Sequence, residues 1–260
     1  MLRTRVISAV IAIPIVVGAV YLGGLWFAIG AGLVALIAGW EFGQMMKTGG
    51  YLTTPLFTLI LIVVLIYTSY QSNPVLLSFS LTAILLLSLA WQLFRQDASP
   101  TANWALTIAG GLYIGWGLGH LVALRQLPAG QAWVWLALIA TWASDSFAYF
   151  VGRALGRHKL WPRHSPKKTW EGLFGGIGGG IVGAALVTFV FGLNWGTTLI
   201  IGAIIPIAGL FGDLSISMMK REVGVKDSSN LFPGHGGFLD RIDSVLFVSM
   251  VVFYYALWLG

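Results

Sequence analysis

The sequence predicts an all-α, polytopic integral membrane protein with about nine transmembrane helices, its N-terminus cytoplasmic and its C-terminus outside. Three observations predict it. Of the 260 residues, 57% are hydrophobic and only 9% are charged, and the mean hydropathy is +0.85. So little charge cannot cover a water-soluble surface of this size, so lipid must be the solvent for most of the exterior. The apolar runs repeat at the ~20-residue length that crosses a bilayer. Turn residues separate them, and charge is confined to alternate connections.

The spans are expected at about 5–23, 24–46, 53–71, 74–94, 103–123, 130–152, 171–192, 197–218 and 239–259. Arg3 and Arg5 before the first run imitate a secretory leader, but the run fits an uncleaved first span better, because eight more follow. Gly23–Gly24, Gly49–Gly50, Ser72–Asn73–Pro74, Ser99–Pro100, Pro128–Gly130 and Asn194–Gly196 mark the breaks. With the N-terminus inside, every Lys and Arg except Arg125 falls on the cytoplasmic side, as the positive-inside rule requires. The isoelectric point near 9.7 therefore reflects topology, not nucleic-acid binding. Absence of cysteine excludes disulfides and thiolate metal sites. The whole chain reads as one membrane domain, with residues 1–128 as scaffold and candidate dimer contacts and residues 129–260 as the catalytic half.

Small residues set the packing expectations. Gly172, Gly176 and Gly180 form one ridge of a seventh span, and Gly175, Gly179 and Gly183 a second; Gly111, Gly115 and Gly119 form a third in the fifth span. Such ridges let helix backbones approach closely in lipid. Pro206 should kink the eighth span. Gly178, Gly180 and Gly183 also fit G-x-G-x-x-G, but that dinucleotide fingerprint needs a preceding strand and a βαβ unit. Inside a membrane helix it carries no such meaning.

Carboxylates carry the functional signal. Glu41, Asp145, Asp213, Asp240 and Asp243 all fall inside predicted spans, toward their cytoplasmic ends. Each would cost ~2.5–3.5 kcal/mol at a span centre unless paired or hydrated. One polar cavity open to the cytoplasm, with a metal and basic groups compensating, explains all five. Asp240 and Asp243 share a helix face and Asp213 approaches on the preceding span. Three such carboxylates suit a hard cation such as Mg²⁺; the plainer alternative is ion pairing with Arg221 and Arg241. Lys220, Arg221, Lys226 and Arg241 suit phosphate, or serve only as positive flanks. His235, in Pro-Gly-His-Gly-Gly, is read either as a phosphate contact or acid, or as an ordinary hydrogen-bonding residue. Ser165 is expected to cap the seventh helix with Pro166 as its first residue, so that Lys167 and Lys168 flank a helix N-terminus able to bind phosphate. Asp145 would orient substrate or meet Lys167 or Lys168. Glu41 is read as similar, or as paired with a nearby cation.

The window from Ser217 to Asp243 resembles the signature of the phosphatidate cytidylyltransferases, or CDP-diacylglycerol synthases. It contains Ser217, Lys220-Arg221, Lys226-Asp227, His235-Gly236-Gly237 and Asp240-Arg241-x-Asp243 in that family's spacing. The SPKKTWEG stretch and the run from Asp145 to Lys159 are similar to the family too. The resemblance implies transfer of CMP from CTP to phosphatidate, giving CDP-diacylglycerol and pyrophosphate for phospholipid synthesis. It also implies Mg²⁺ dependence, a homodimer and a bacterial cytoplasmic membrane, with a monovalent second cation such as K⁺ as a further option.

In family terms Asp213, Asp240 and Asp243 would hold metal, with Lys226 and His235 beside them in catalysis. Ser165, Lys167, Lys168, Lys220, Arg221, Arg241, Asp227 and Asp145 would contact the CTP and phosphatidate phosphates. A CTP-dependent polyprenol kinase is the nearest rival, and a transporter with a cytoplasmic anion gate a more remote one. The latter predicts charge through the whole bilayer depth, not the one-sided crowding seen here. A CDP-alcohol phosphotransferase would carry an Asp-Gly-x-x-Ala-Arg run, which is absent.

Overall fold

A computed structural model describes residues 13–229 and 236–260. Among the described residues there are nine helices: α1 (Ile13–Leu22), α2 (Gly24–Thr48), α3 (Pro55–Gln71), α4 (Pro74–Leu93), α5 (Pro100–Gln126), α6 (Gly130–Leu155), α7 (Trp170–Phe191), α8 (Trp195–Glu222) and α9 (Leu239–Leu259). Seven of them, all but α1 and α3, are long and apolar enough to cross a membrane. The protein is therefore an all-helical, polytopic membrane protein, with one small departure. Between α6 and α7 lies an antiparallel hairpin of β1 (Lys159–Trp161) and β2 (Ser165–Thr169), which the sequence reading did not anticipate.

Local chemistry explains most helix ends. Pro55 and Pro74 open α3 and α4, where a missing N–H costs nothing. The Asn73 side chain caps α4 by accepting from Leu76 N at 3.0 Å. Gly192 ends α7 in the left-handed region (φ 68°).

The chain divides into two compact units. One comprises the residues up to Ala123 together with Met219–Ile242. Its apolar core centres on Leu61, Leu65 and Ile84, with Phe57, Leu81, Leu112 and Trp116 packed around them. Here the expected ridge on α5 meets α3: a Cβ on Gly111 would lie 3.1 Å from Thr58 O, and one on Gly115 3.0 Å from Ile62 Cα. Side chains at these positions would push the two backbones apart, so glycine sets the helix spacing. A polar knot closes one end of this unit. Asp97 accepts from Gln92, Asn103 and Arg95, Arg95 also donates to Thr54, and Asn103 accepts from Leu52 N.

The second unit comprises Leu124–Met218 with Asp243–Gly260. Its α6 and α7 pack along the glycine ridges: Cβ atoms on Gly172, Gly176 and Gly183 would lie 3.0–3.1 Å or less from Ala148 O, Ser144 Oγ and Ala140 Cα. Gly180 turns instead to α8, against the carbonyl of Gly202. Pro206, inside α8, deprives that carbonyl of its helical donor. Gly212 lets the α8 backbone rest on the carbonyl of Asp243, which brings Asp213 and Asp243 to one level of two adjoining helices.

One sequence expectation is corrected here. The helix cap is Thr169, not Ser165: Thr169 Oγ1 accepts from Gly172 N at 3.1 Å, and the helix begins at Trp170. Ser165 and Pro166 lie on β2. The hairpin returns the chain from α6 to α7, and its partner strand holds Ser165–Thr169 extended until a Thr at the right place can cap.

Candidate active site

Two clusters gather the charged residues singled out above, one in each unit. In the first unit, Lys220 and Asp240 form a buried ion pair, with Nζ 2.6 Å from Oδ1. The other carboxylate oxygen of Asp240 accepts from Ser228 N (2.8 Å), Ser228 Oγ (3.0 Å) and Gly237 N (3.0 Å). Beside it stands Glu41 of α2, only 3% exposed. Its carboxylate accepts from Phe238 N (2.9 Å), Leu239 N (2.8 Å) and Ser228 Oγ (3.3 Å), and from the hydroxyl of Ser229. Four donors match the roughly four lone-pair positions of an ionised carboxylate. Glu41 thus caps the start of α9 from another helix, and no nearby cation is needed to account for it.

This arrangement explains both glycines of the His-Gly-Gly run. Gly236 has φ 77°, a conformation that favours glycine. A Cβ on Gly237 would collide with Ser228 Oγ and stand 2.7 Å from Glu41 Oε2. The backbone must come that close for its N–H to reach Asp240. Around this core, Arg221, Lys226, Asp227 and Arg241 are exposed, and Arg221 donates to Val225 O at 3.2 Å, closing the turn after α8. His235 lies outside the described residues.

In the second unit, Lys168 Nζ lies 2.6 Å from Asp213 Oδ2, and both side chains are about a quarter to a third exposed. The other oxygen of Asp213 accepts from Ser217 Oγ at 3.1 Å. This gives the first residue of the signature a purpose: one helical turn along α8, it orients the carboxylate. Lys168 and Asp213 are also the charges that act on Asp145 of α6. Lys168 is thus paired with Asp213 and near enough to Asp145 to act on it through space. Strand geometry sends successive side chains to opposite faces, so Lys168 turns in to Asp213 while Lys167 stays exposed. The two lysines immediately precede the Thr169 cap of α7 on an extended strand, and do not lie in the first helical turn that a Ser165 cap would have given them. Asp243 is buried, and its Oδ1 accepts from Ser244 N at 2.7 Å.

The donor set suits a hard divalent cation, since every candidate ligand is a carboxylate oxygen. In the described residues, however, no three His, Asp or Glu side chains converge as a metal site. Asp240 carries Lys220 on Oδ1 and three protein donors on Oδ2, whereas Asp213 carries one partner on each oxygen.

The sequence reading missed the tight bond between Glu41 and the signature. Its only signal was a glutamate within an otherwise apolar run, almost 200 positions from its partners. The role of Ser228, which bridges Glu41 and Asp240, carried no signal at all.

Comparisons with known proteins agree with this picture. A sequence model of the Cytidylyltransferase family matches residues 3–259. A protein of Pseudomonas aeruginosa named phosphatidate cytidylyltransferase is 34% identical, the match covering 99% of this chain and 97% of that one. Proteins of the same name from Staphylococcus haemolyticus (36% identical; 95% and 96% covered) and Bacillus subtilis (34%; 97% of each) are similar over almost their whole lengths. The chain belongs to the cytidylyltransferase family.

Proposed function

We propose that this protein transfers CMP from CTP to phosphatidate, forming CDP-diacylglycerol and releasing pyrophosphate. The observation that carries this reading is the end-to-end similarity to proteins named phosphatidate cytidylyltransferase, with the whole signature from Ser217 to Asp243 present. It favours this activity over a polyprenol kinase or a transporter.

The chemistry asks little of a base. The phosphomonoester of phosphatidate has a second pKa near ~6, so its oxygen is already an anion at neutral pH. That oxygen attacks the α-phosphorus of CTP in line. A new P–O bond forms, the bond from the α-phosphorus to the bridging oxygen breaks, and pyrophosphate leaves with the electron pair. The obstacle is the repulsion between two polyanions, which positioned cations relieve. Lys168 and Lys220, each held by a carboxylate, are the best-placed cations; Lys167, Arg221, Lys226 and Arg241 add exposed positive charge, and Asp145 and Asp227 restrain it. Ser165 stands on the same strand as Lys167. Bound Mg²⁺ would supply further charge neutralisation at the phosphates, with Asp213, Asp240 and Asp243 as its ligands. Asp213, with one partner on each oxygen, has acceptor capacity to spare; Asp240 would have to exchange protein donors at Oδ2 to take part. His235 keeps its candidate place beside the phosphates, and K⁺ is the candidate for a second cation.

The finer topology belongs to this proposal: nine spans, with α1 and α3 completing the count, N-terminus inside and C-terminus outside. It places Lys168, Lys220 and the carboxylates at the cytoplasmic face, where CTP is available, and fits a bacterial inner-membrane homodimer. A reporter fused after Gly260 should prove extracytoplasmic; a cytoplasmic signal would break the topology. For the activity, purified protein receives phosphatidate, Mg²⁺ and CTP labelled separately at its α- and γ-phosphates. The α-label should enter the lipid and the γ-label should leave as pyrophosphate. Transfer of the γ-label to an added polyprenol would replace this reading with the kinase.

A further inference from the structure

We infer that Glu41 is a positioning residue for the signature, acting through Ser228 on Asp240 and Lys220. Its kinetic consequence rests on the cytidylyltransferase reading; its structural consequence does not. The inference starts from donor accounting. Glu41 receives two backbone N–H groups, from Phe238 and Leu239, and the hydroxyls of Ser228 and Ser229. It therefore grips the signature on both sides of residues 230–235. Asp240 does the same, through Ser228 N and Gly237 N. The two carboxylates share the Ser228 hydroxyl, 3.3 Å from Glu41 Oε2 and 3.0 Å from Asp240 Oδ2. That hydroxyl has one proton and can donate to only one of them at a time. The pair is thereby coupled: whatever moves Glu41 changes the donors left to Asp240, and so the hold of Asp240 on Lys220.

A simple helix cap would need only the two N–H bonds. Burial of the carboxylate, the second pair of bonds from two consecutive serines and the exclusion of a side chain at Gly237 all point to registration of a site. Glutamine cannot replace Glu41. It keeps the shape but presents an NH₂ where one backbone N–H expects an acceptor, leaving two donors opposed.

The test uses the full chain in detergent or nanodiscs, with Glu41→Gln, Ser228→Ala and the double variant. Glu41→Gln should lower kcat about 10- to 100-fold at saturating CTP, the scale of a misplacement of about 1 Å. KM for CTP should change by less, about threefold or under. In the Glu41→Gln background, Ser228→Ala should cost clearly less than it does alone, because the link from Ser228 to Glu41 is already broken and only its bond to Asp240 remains to lose. Amide exchange over residues 236–242 should speed up in Glu41→Gln. A brace that serves stability alone would lower the melting temperature yet leave kcat unchanged well below it, and that result overturns the inference. So would effects of the two substitutions that multiply. If Glu41→Gln does not yield folded protein, Ser228→Ala decides, and an unchanged kcat there is equally fatal. Wild-type protein that makes no CDP-lipid would sink the activity reading instead, while exchange over residues 236–242 would still judge the grip of Glu41.

Discussion

The two charged clusters use the same residue types in opposite ways. Around Asp240, one lysine and two carboxylates are surrounded by backbone and hydroxyl donors, and both ion-pair partners are about 10% exposed. Around Asp213, one lysine and a single hydroxyl are the partners, and both members of the ion pair are more open. A saturated cluster holds its geometry; an undersupplied one can trade partners with an incoming phosphate or cation. On the proposed reading, the first places the site and the second exchanges ligands. Burial makes the difference, because removing charge from water demands a full complement of hydrogen bonds, whereas a partly exposed pair borrows the rest from solvent.

Breaking the saturated cluster should have the largest effect. Lys220→Met leaves Asp240 buried without its cation, and loss of one partner of a buried pair costs about 3–5 kcal/mol. A steep drop in the melting temperature of purified protein is expected; a change within about 1 kcal/mol, the scale of a surface pair, would erase the contrast.

Lys168→Ala sharpens the comparison from the other side. Activity should fall about 100-fold, equivalent to about 2.7 kcal/mol in the barrier. Stability should shift by less than about 1 kcal/mol, since a partly exposed ion pair contributes little. Equal losses of stability in Lys168→Ala and Lys220→Met would show that the clusters do not differ as described.

Smaller effects test the frame around the second cluster. Thr169→Ala should cost about 1 kcal/mol through loss of the α7 cap, whereas Ser165→Ala should leave helix stability unchanged. The opposite ranking, read from thermal unfolding, would restore Ser165 as the cap.

The smallest effect belongs to Asp97, a saturated carboxylate assigned no chemistry. Hydrogen bonds from Gln92 and Asn103, with Arg95 alongside, hold its pKa below the ordinary value despite partial burial. Its folded pKa is depressed, so its contribution is present above the unfolded value near ~3.9 and is lost as pH falls through the folded value. Unfolding curves of wild type and Asp97→Asn should converge as pH drops below about 4. A gap that widens there would contradict the assignment.

Much of this was legible along the chain. Apolar runs of bilayer length announced the long helices, because lipid leaves a spanning segment few options other than a helix that satisfies its own backbone. Glycines four apart announced the close contacts of α7 and α5. The signature spacing announced the family. The hairpin was not legible, since a pair of strands of eight residues in all, three of them Lys and one Pro, has no period strong enough to separate it from a loop. For the same reason the cap was assigned to Ser165 and not Thr169.

By itself, the sequence determined the solvent, the helical class, the family and the residue types that the chemistry needs. All of these follow from composition and local spacing, which act over a turn or two of chain. Only the tertiary structure decided which carboxylates are occupied and which have capacity to spare. Glu41 and Ser228 stand 187 positions apart, and no local rule couples residues at that range. Their roles come from proximity in space, where each buried donor must find an acceptor.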